Sequence, residues 1–151
     1  MRESLLHLIQ FGLVGLPLVA VLFLKVNAGL LLILAIFVTL HHTVAYIDVR
    51  YANAMRQVRP TEQMIHSFLE LLPITAYLLL AATAFGELQA LLGQGNEHAD
   101  FSVRVRSHSL PHWYLISVIC AAVSVNLAPY LEEFVRCFRA SALRTPFDHH
   151  R

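Results

Sequence analysis

The chain has 151 residues, 57% of them hydrophobic and 14% charged, with a mean hydropathy of +0.59, which excludes an ordinary soluble domain. Its formal net charge of +1 gives no basis for nucleic acid as a partner. The composition is that of an integral membrane protein.

A hydrocarbon core of about 30 Å needs roughly 20 mostly apolar residues per helix. Leu5–Leu24, Leu30–Tyr46, Met64–Phe85 and Trp113–Leu131 meet that need. The expected fold is all-α: one domain over 1–151, an up-and-down bundle of four transmembrane helices spanning about 5–24, 30–50, 61–86 and 112–137. The first run is too long for a secretory signal, and no small-residue cleavage motif follows it, so it is read as a retained helix.

Lys25 to Gly29 is so short that spans one and two must be antiparallel neighbours. Ile47 to Arg59 contains no glycine and favours helix, so the second helix should project beyond the membrane. Pro60 suits the first turn of the third helix, with Glu62 near its positive end. Pro17, Pro73 and Pro129 lie inside spans, where kinks can open a pocket. The outer loop, about 93–111, carries His98, His108 and His112, read as solvated, and Phe101–Arg106 alternates like a short strand or an interfacial segment.

Arg2, Arg50, Arg56, Arg59, Arg136, Arg139, Arg144 and Arg151 fall on one side of this topology, and Lys25, Arg104 and Arg106 on the other. The positive-inside rule then places both termini in the cytoplasm, and with no organellar targeting signal in the sequence the expected membrane is a bacterial inner membrane. Cys120 and Cys137 are seventeen helical residues apart, about 25 Å, which excludes a disulfide between them.

The ionisable residues concentrate in His41–Glu70. His41, Ala45, Asp48 and Ala52 share a face of the second helix, with His42 and Tyr46 on a neighbouring stripe. Glu62, His66 and Glu70 share a face of the third. His7 and Gln10 at the start of the first helix, Tyr77 on the third, and Asn126, Tyr130 and Glu133 on the fourth supply supporting polar groups. A charged group at depth in lipid costs about 2.5–3.5 kcal/mol, so such a cluster implies mutual satisfaction or a bound partner.

Imidazole and carboxylate together are the ligands of zinc and non-haem iron. His41, His42, Asp48, Glu62, His66 and Glu70 are therefore the candidate ligands of a divalent metal, beside a lipid-like substrate whose anionic headgroup Arg50, Arg56 and Arg59 would hold. The spacing is neither the Glu-x-x-His of ferritin-like di-iron proteins nor the His-x-x-His-His box of membrane desaturases.

Three alternatives stand beside it. A b-type haem would take His41 or His42 with His66 as axial ligands. A non-catalytic accessory or scaffold subunit would use the cluster for interhelical bonds, with other membrane subunits or a second copy as partners. In a transporter, His66 and Glu70 would relay protons. Ser67 is not a triad partner of His66, because adjacent helical residues point apart.

Overall fold

The computed structural model describes residues 2–55, 57, 59–94, 98–107 and 110–142, without the side chains at 2, 3, 55, 62, 65, 125, 126, 129, 130, 133 and 140–142. Arg56, His108 and the side chains of Glu62, Asn126, Tyr130 and Glu133 thus lie outside the described residues.

The described chain is helical: α1 (Arg2–Phe23), α2 (Ala28–Met55), α3 (Pro60–Thr83), α4 (Phe85–Leu91), α5 (His112–Ala121), a π-helical segment (Ala122–Leu127) and α6 (Ala128–Ala142). Three stretches are long and apolar enough to cross a membrane: Ser4–Phe23, Ala28–Ala54 and His66–Thr83. The last is the least hydropathic of the three, at 1.3 against 2.2 and 2.1, because it begins with His66 and Glu70. The fourth helical stretch is apolar over His112–Ser124 only.

Each boundary has a local cause. α2 runs for 28 residues, a rise of about 42 Å, which exceeds the thickness of a hydrocarbon core of about 30 Å. α3 begins at Pro60, and Arg59 before it is extended at φ −71, ψ 149, the conformation a following proline imposes. α1 and α3 run through Pro17 and Pro73 without a break. The widened π turn ends just before Pro129, whose missing N–H leaves the helical ladder one bond short at residue 125. Gly93 follows α4 with φ 68, the left-handed conformation that ends helices.

α2 is the central helix: 28% of its apolar window is buried, against 6% for α1 and α3. α1 packs along it, α3 and α4 lie on other faces, and α6 packs back on α1. Ser4 and Cys137 touch, with Oγ 3.6 Å from Sγ, so the start of α1 and the latter half of α6 share one end of the bundle, the terminal end. The opposite end, which carries the α1–α2 turn, is the loop end. Cys120 and Cys137 are both free, and Cys120 is exposed.

The loop end is held by a dense set of hydrogen bonds. Phe101–Arg106 folds back on the α1–α2 turn in one antiparallel bridge, Leu24 to Val105. Lys25 N–H donates to the Arg104 carbonyl at 2.8 Å and Arg106 N–H to the Phe23 carbonyl at 2.9 Å. The expectation for this segment is a short strand or an interfacial segment, and the described residues form one isolated bridge and no strand.

Helix ends are satisfied here too. The Asn27 carboxamide oxygen caps α2 by accepting from Leu30 N–H at 2.9 Å, and its nitrogen donates to the Ser102 carbonyl at 2.7 Å. The Glu87 carboxylate accepts from Ala28 N–H at 3.1 Å, a negative charge at the positive end of α2. Arg106 donates to the Val21 carbonyl at 3.1 Å, a cation at the negative end of α1.

Candidate functional site

The shared face of α2 read from the sequence is the buried one. His41, Ala45, Asp48 and Ala52 are 5%, 2%, 2% and 7% exposed. The two alanines let neighbouring helices approach, and the two polar residues meet what those helices present.

Asp48 meets α1. Gln10 Nε2 donates to Asp48 Oδ2 at 3.2 Å, and His7 Nε2 lies 3.2 Å from the same oxygen. His7 and Gln10 are three residues apart and so share a helical face. Asp48 Oδ1 is buried and has no hydrogen-bond partner among the described residues.

α3 enters through His66, whose ring is 6.4 Å from that of His7 and tilted by 40°. His7, Asp48 and His66 therefore bring α1, α2 and α3 to one level at the terminal end. Val49, Ala52, Gln63, His66, Ser67 and Glu70 line a cavity of about 330 Å³ beside this centre. Ser67 Oγ donates to the Gln63 carbonyl at 3.0 Å, the ordinary back-bond of a helical serine, so it is occupied within its own helix.

His41 lies two turns deeper on α2. Both of its ring nitrogens are shut off from solvent, and neither makes a hydrogen bond among the described residues. His42 faces elsewhere: its ring sits edge-on to His41 at 5.7 Å, its Nδ1–H donates to the Val38 carbonyl at 2.8 Å, and it lines a separate recess with Tyr46 and Ile74.

The six expected metal ligands therefore divide. Asp48 pairs with α1, His66 and Glu70 share a cavity, His41 makes no hydrogen bond among the described residues and His42 turns away; Glu62 lies outside the described side chains. Among the described residues no three His, Cys, Asp or Glu side chains are grouped to hold an ion. Of the expected headgroup arginines, Arg50 and Arg59 are exposed, and the Arg50 guanidinium lies 5.8 Å from the centre of the Tyr46 ring, in cation–π contact. His98, in the connection between α4 and α5, and His112, the first residue of α5, are both exposed.

A second feature adjoins this centre. α1 and α3 scarcely touch beyond the terminal end, and between them, floored by α2, runs a groove of about 440 Å³. Pro17 and Pro73 face it from opposite sides, Leu34 and Val38 form its floor, and no Lys, Arg, Asp or Glu lines it among the described residues. Its polar side chains are Thr83 towards the loop end, Tyr77, and His41 where it meets the polar centre. Periodicity placed Tyr77 on the polar stripe of α3, and the structure sets it in the apolar groove.

Compared with known protein families, curated proteins and solved structures, the chain matches none.

Proposed function

We propose that this chain is a membrane-embedded binding protein for a lipid-like molecule. Its apolar chain occupies the groove between α1 and α3, and its polar end lies at His41 beside the His7–Gln10–Asp48 centre. The observation that carries this reading is the groove itself: its volume falls within the usual 300–1,000 Å³ or so of small-molecule pockets, its wall is apolar, and it ends at one buried imidazole. In the same reading the stretch from His112 to Ala142 is the fourth span, the membrane is a bacterial inner membrane, and Arg50 and Arg59 rest among headgroups at the cytoplasmic face.

The test is retention. Protein purified from membranes in a mild detergent should carry a co-purifying lipid by native mass spectrometry. Val38→Trp or Leu80→Trp, which fill the groove, should lower that retention about tenfold, roughly 1.4 kcal/mol of binding, with helix content unchanged. Equal retention by wild type and the filled variants would overturn the reading.

A divalent ion at the terminal end is the second reading, favoured by Asp48 Oδ1, buried and without a hydrogen-bond partner among the described residues, on a carboxylate beside His7, whose ring in turn neighbours His66. It predicts a stoichiometric zinc or iron in the purified protein that Asp48→Asn and His66→Ala each remove and His98→Ala leaves in place. A metal-free wild-type protein, or equal loss in all three variants, would sink it.

A further inference from the structure

We propose that the groove selects an uncharged, carbonyl-bearing apolar molecule, held by a hydrogen bond from the Tyr77 hydroxyl to its carbonyl oxygen. This rests on the groove reading above and adds the chemistry of the polar group that the groove recognises.

Three of the side chains lining the groove carry polar atoms: His41, Tyr77 and Thr83. His41 marks the end of the groove, but both of its nitrogens are enclosed, so it bonds to nothing lying there. The Thr83 hydroxyl already donates to the Leu80 carbonyl at 2.7 Å, the usual back-bond of a helical threonine. Tyr77 differs from both. It is half-buried, its hydroxyl makes no hydrogen bond among the described residues, and its oxygen is not one of the enclosed atoms. The Tyr77 O–H is therefore the one open side-chain donor among the described residues of the groove.

Depth gives that donor its weight. Tyr77 lies eleven residues beyond His66, where the apolar stretch of α3 begins, about 16 Å at the helical rise. With His66–Thr83 across the membrane, as the groove reading has it, this is near mid-depth, where a phenol has no bulk water to bond. A polar group left unmade in a low-dielectric setting is costly, and a ligand that brings an acceptor removes the cost.

The acceptor has to be uncharged and free of donors. A carboxylate or phosphate would carry its charge to that depth, and no Lys or Arg lines the groove among the described residues to offset it. An alcohol can accept from Tyr77, but two hydroxyls make one hydrogen bond between them and leave one donor over; a carbonyl leaves none. A bare hydrocarbon leaves the phenol as it is.

Register places the carbonyl along the molecule. Tyr77 is four residues from Pro73, on the terminal-end side, and six from Thr83, on the loop-end side, about 6 and 9 Å along the helix. The carbonyl therefore belongs nearer one end, with the longer apolar arm running towards Thr83.

The experiment uses the full chain in nanodiscs. A photoactivatable dodecane should label the groove at Leu34, Val38 or Leu80, read by peptide mass spectrometry. A dodecanone with its carbonyl near one end should compete for that labelling about tenfold better than dodecane, the matching secondary alcohol or dodecanoate. Tyr77→Phe removes the oxygen and keeps the ring, so it should abolish the advantage while the dodecane probe still labels the groove, which shows the variant folded. Thr83→Val should leave the advantage in place. With an isotope-labelled ketone, the infrared carbonyl band should lie lower in wild type than in Tyr77→Phe, the signature of the hydrogen bond itself.

Dodecane, the alcohol or dodecanoate competing as well as dodecanone, or an advantage that survives Tyr77→Phe, would overturn the proposal, while labelling by the dodecane probe would leave the groove reading standing. Absence of groove labelling in every protein would overturn both.

Discussion

The two ends of this bundle spend their polar residues differently. At the loop end Asn27, Glu87, Asp100, Ser102 and Arg106 each make a hydrogen bond to a nearby backbone or side-chain group, and the bonds close two helix ends and a loop. At the terminal end Asp48 and His41 are buried, at 2% and 5% exposed, yet Asp48 Oδ1 and both nitrogens of His41 have no hydrogen-bond partner among the described residues. A fully satisfied polar group contributes to holding the fold. A buried group left open withholds stability that binding can supply, and such groups concentrate at functional sites. Substitutions at the loop end should therefore cost stability, and substitutions at the terminal end should cost binding.

The largest loss is expected at Gly29. A Cβ built there would lie 2.9 Å from the Cα of Phe101, a main-chain atom that no rotamer change can move. Gly29→Val should destabilise by about 2–3 kcal/mol, the upper part of the range for overpacking, read as a fall in the midpoint of thermal unfolding. Asn27→Ala comes next. It removes the cap on Leu30 N–H and the bond to the Ser102 carbonyl, and a lost cap costs about 0.5–2 kcal/mol. If both variants unfold like wild type, the loop end is not the structural lock described here.

This contrast was half visible in the sequence. Helical periodicity put His41, Ala45, Asp48 and Ala52 on one face, and all four are buried. It placed Pro60 in the first turn of α3 and carried α2 into the connection. Periodicity assigns a face, however, and not the neighbour that covers it. Asp48 is read from the sequence in one ligand set with the Glu/His stripe of α3, whereas in the structure Gln10 of α1 donates to it and His7 of α1 lies 3.2 Å away. The signal was present in the short Lys25–Gly29 turn, which makes α1 the obligatory partner of α2, and in the three-residue spacing of His7 and Gln10. The loop-end lock was hidden because Asn27 and Ser102 are remote in sequence. The groove was hidden because it is a place where two helices fail to pack, which no residue pattern encodes.

Asp48→Asn tests the comparison from the other side. The carboxamide oxygen can still accept from Gln10, His7 can remain neutral, and the unpartnered carboxylate oxygen is gone. Replacing a buried charge whose hydrogen bonding is incomplete is often close to neutral, so the change in unfolding free energy should stay within about 1 kcal/mol. A loss exceeding that of Asn27→Ala would show that the terminal end is also built for stability, and the contrast between the ends would fail.

The smallest effect is the pH dependence of the loop end. The Ser102 hydroxyl and then its N–H, donating to Asp100 Oδ1 at 2.6 and 2.9 Å, hold the Asp100 carboxyl below the usual carboxylate range, with Arg104 assisting at 4.0 Å. A carboxyl depressed in the folded state binds protons more readily when unfolded. Its contribution is therefore present above the unfolded pKa of about 3.9 and is lost as the pH falls through the lower folded value. Wild type should melt slightly above Asp100→Asn at neutral pH, and the gap should close below about pH 4 as the carboxylate is protonated. Because Asp100 is solvated the gap will be small, and its sign and pH window carry the information. A gap that persists unchanged into acid would mean that the ionised carboxylate contributes nothing to this latch, leaving Asn27, Glu87 and the backbone bridge to hold the loop.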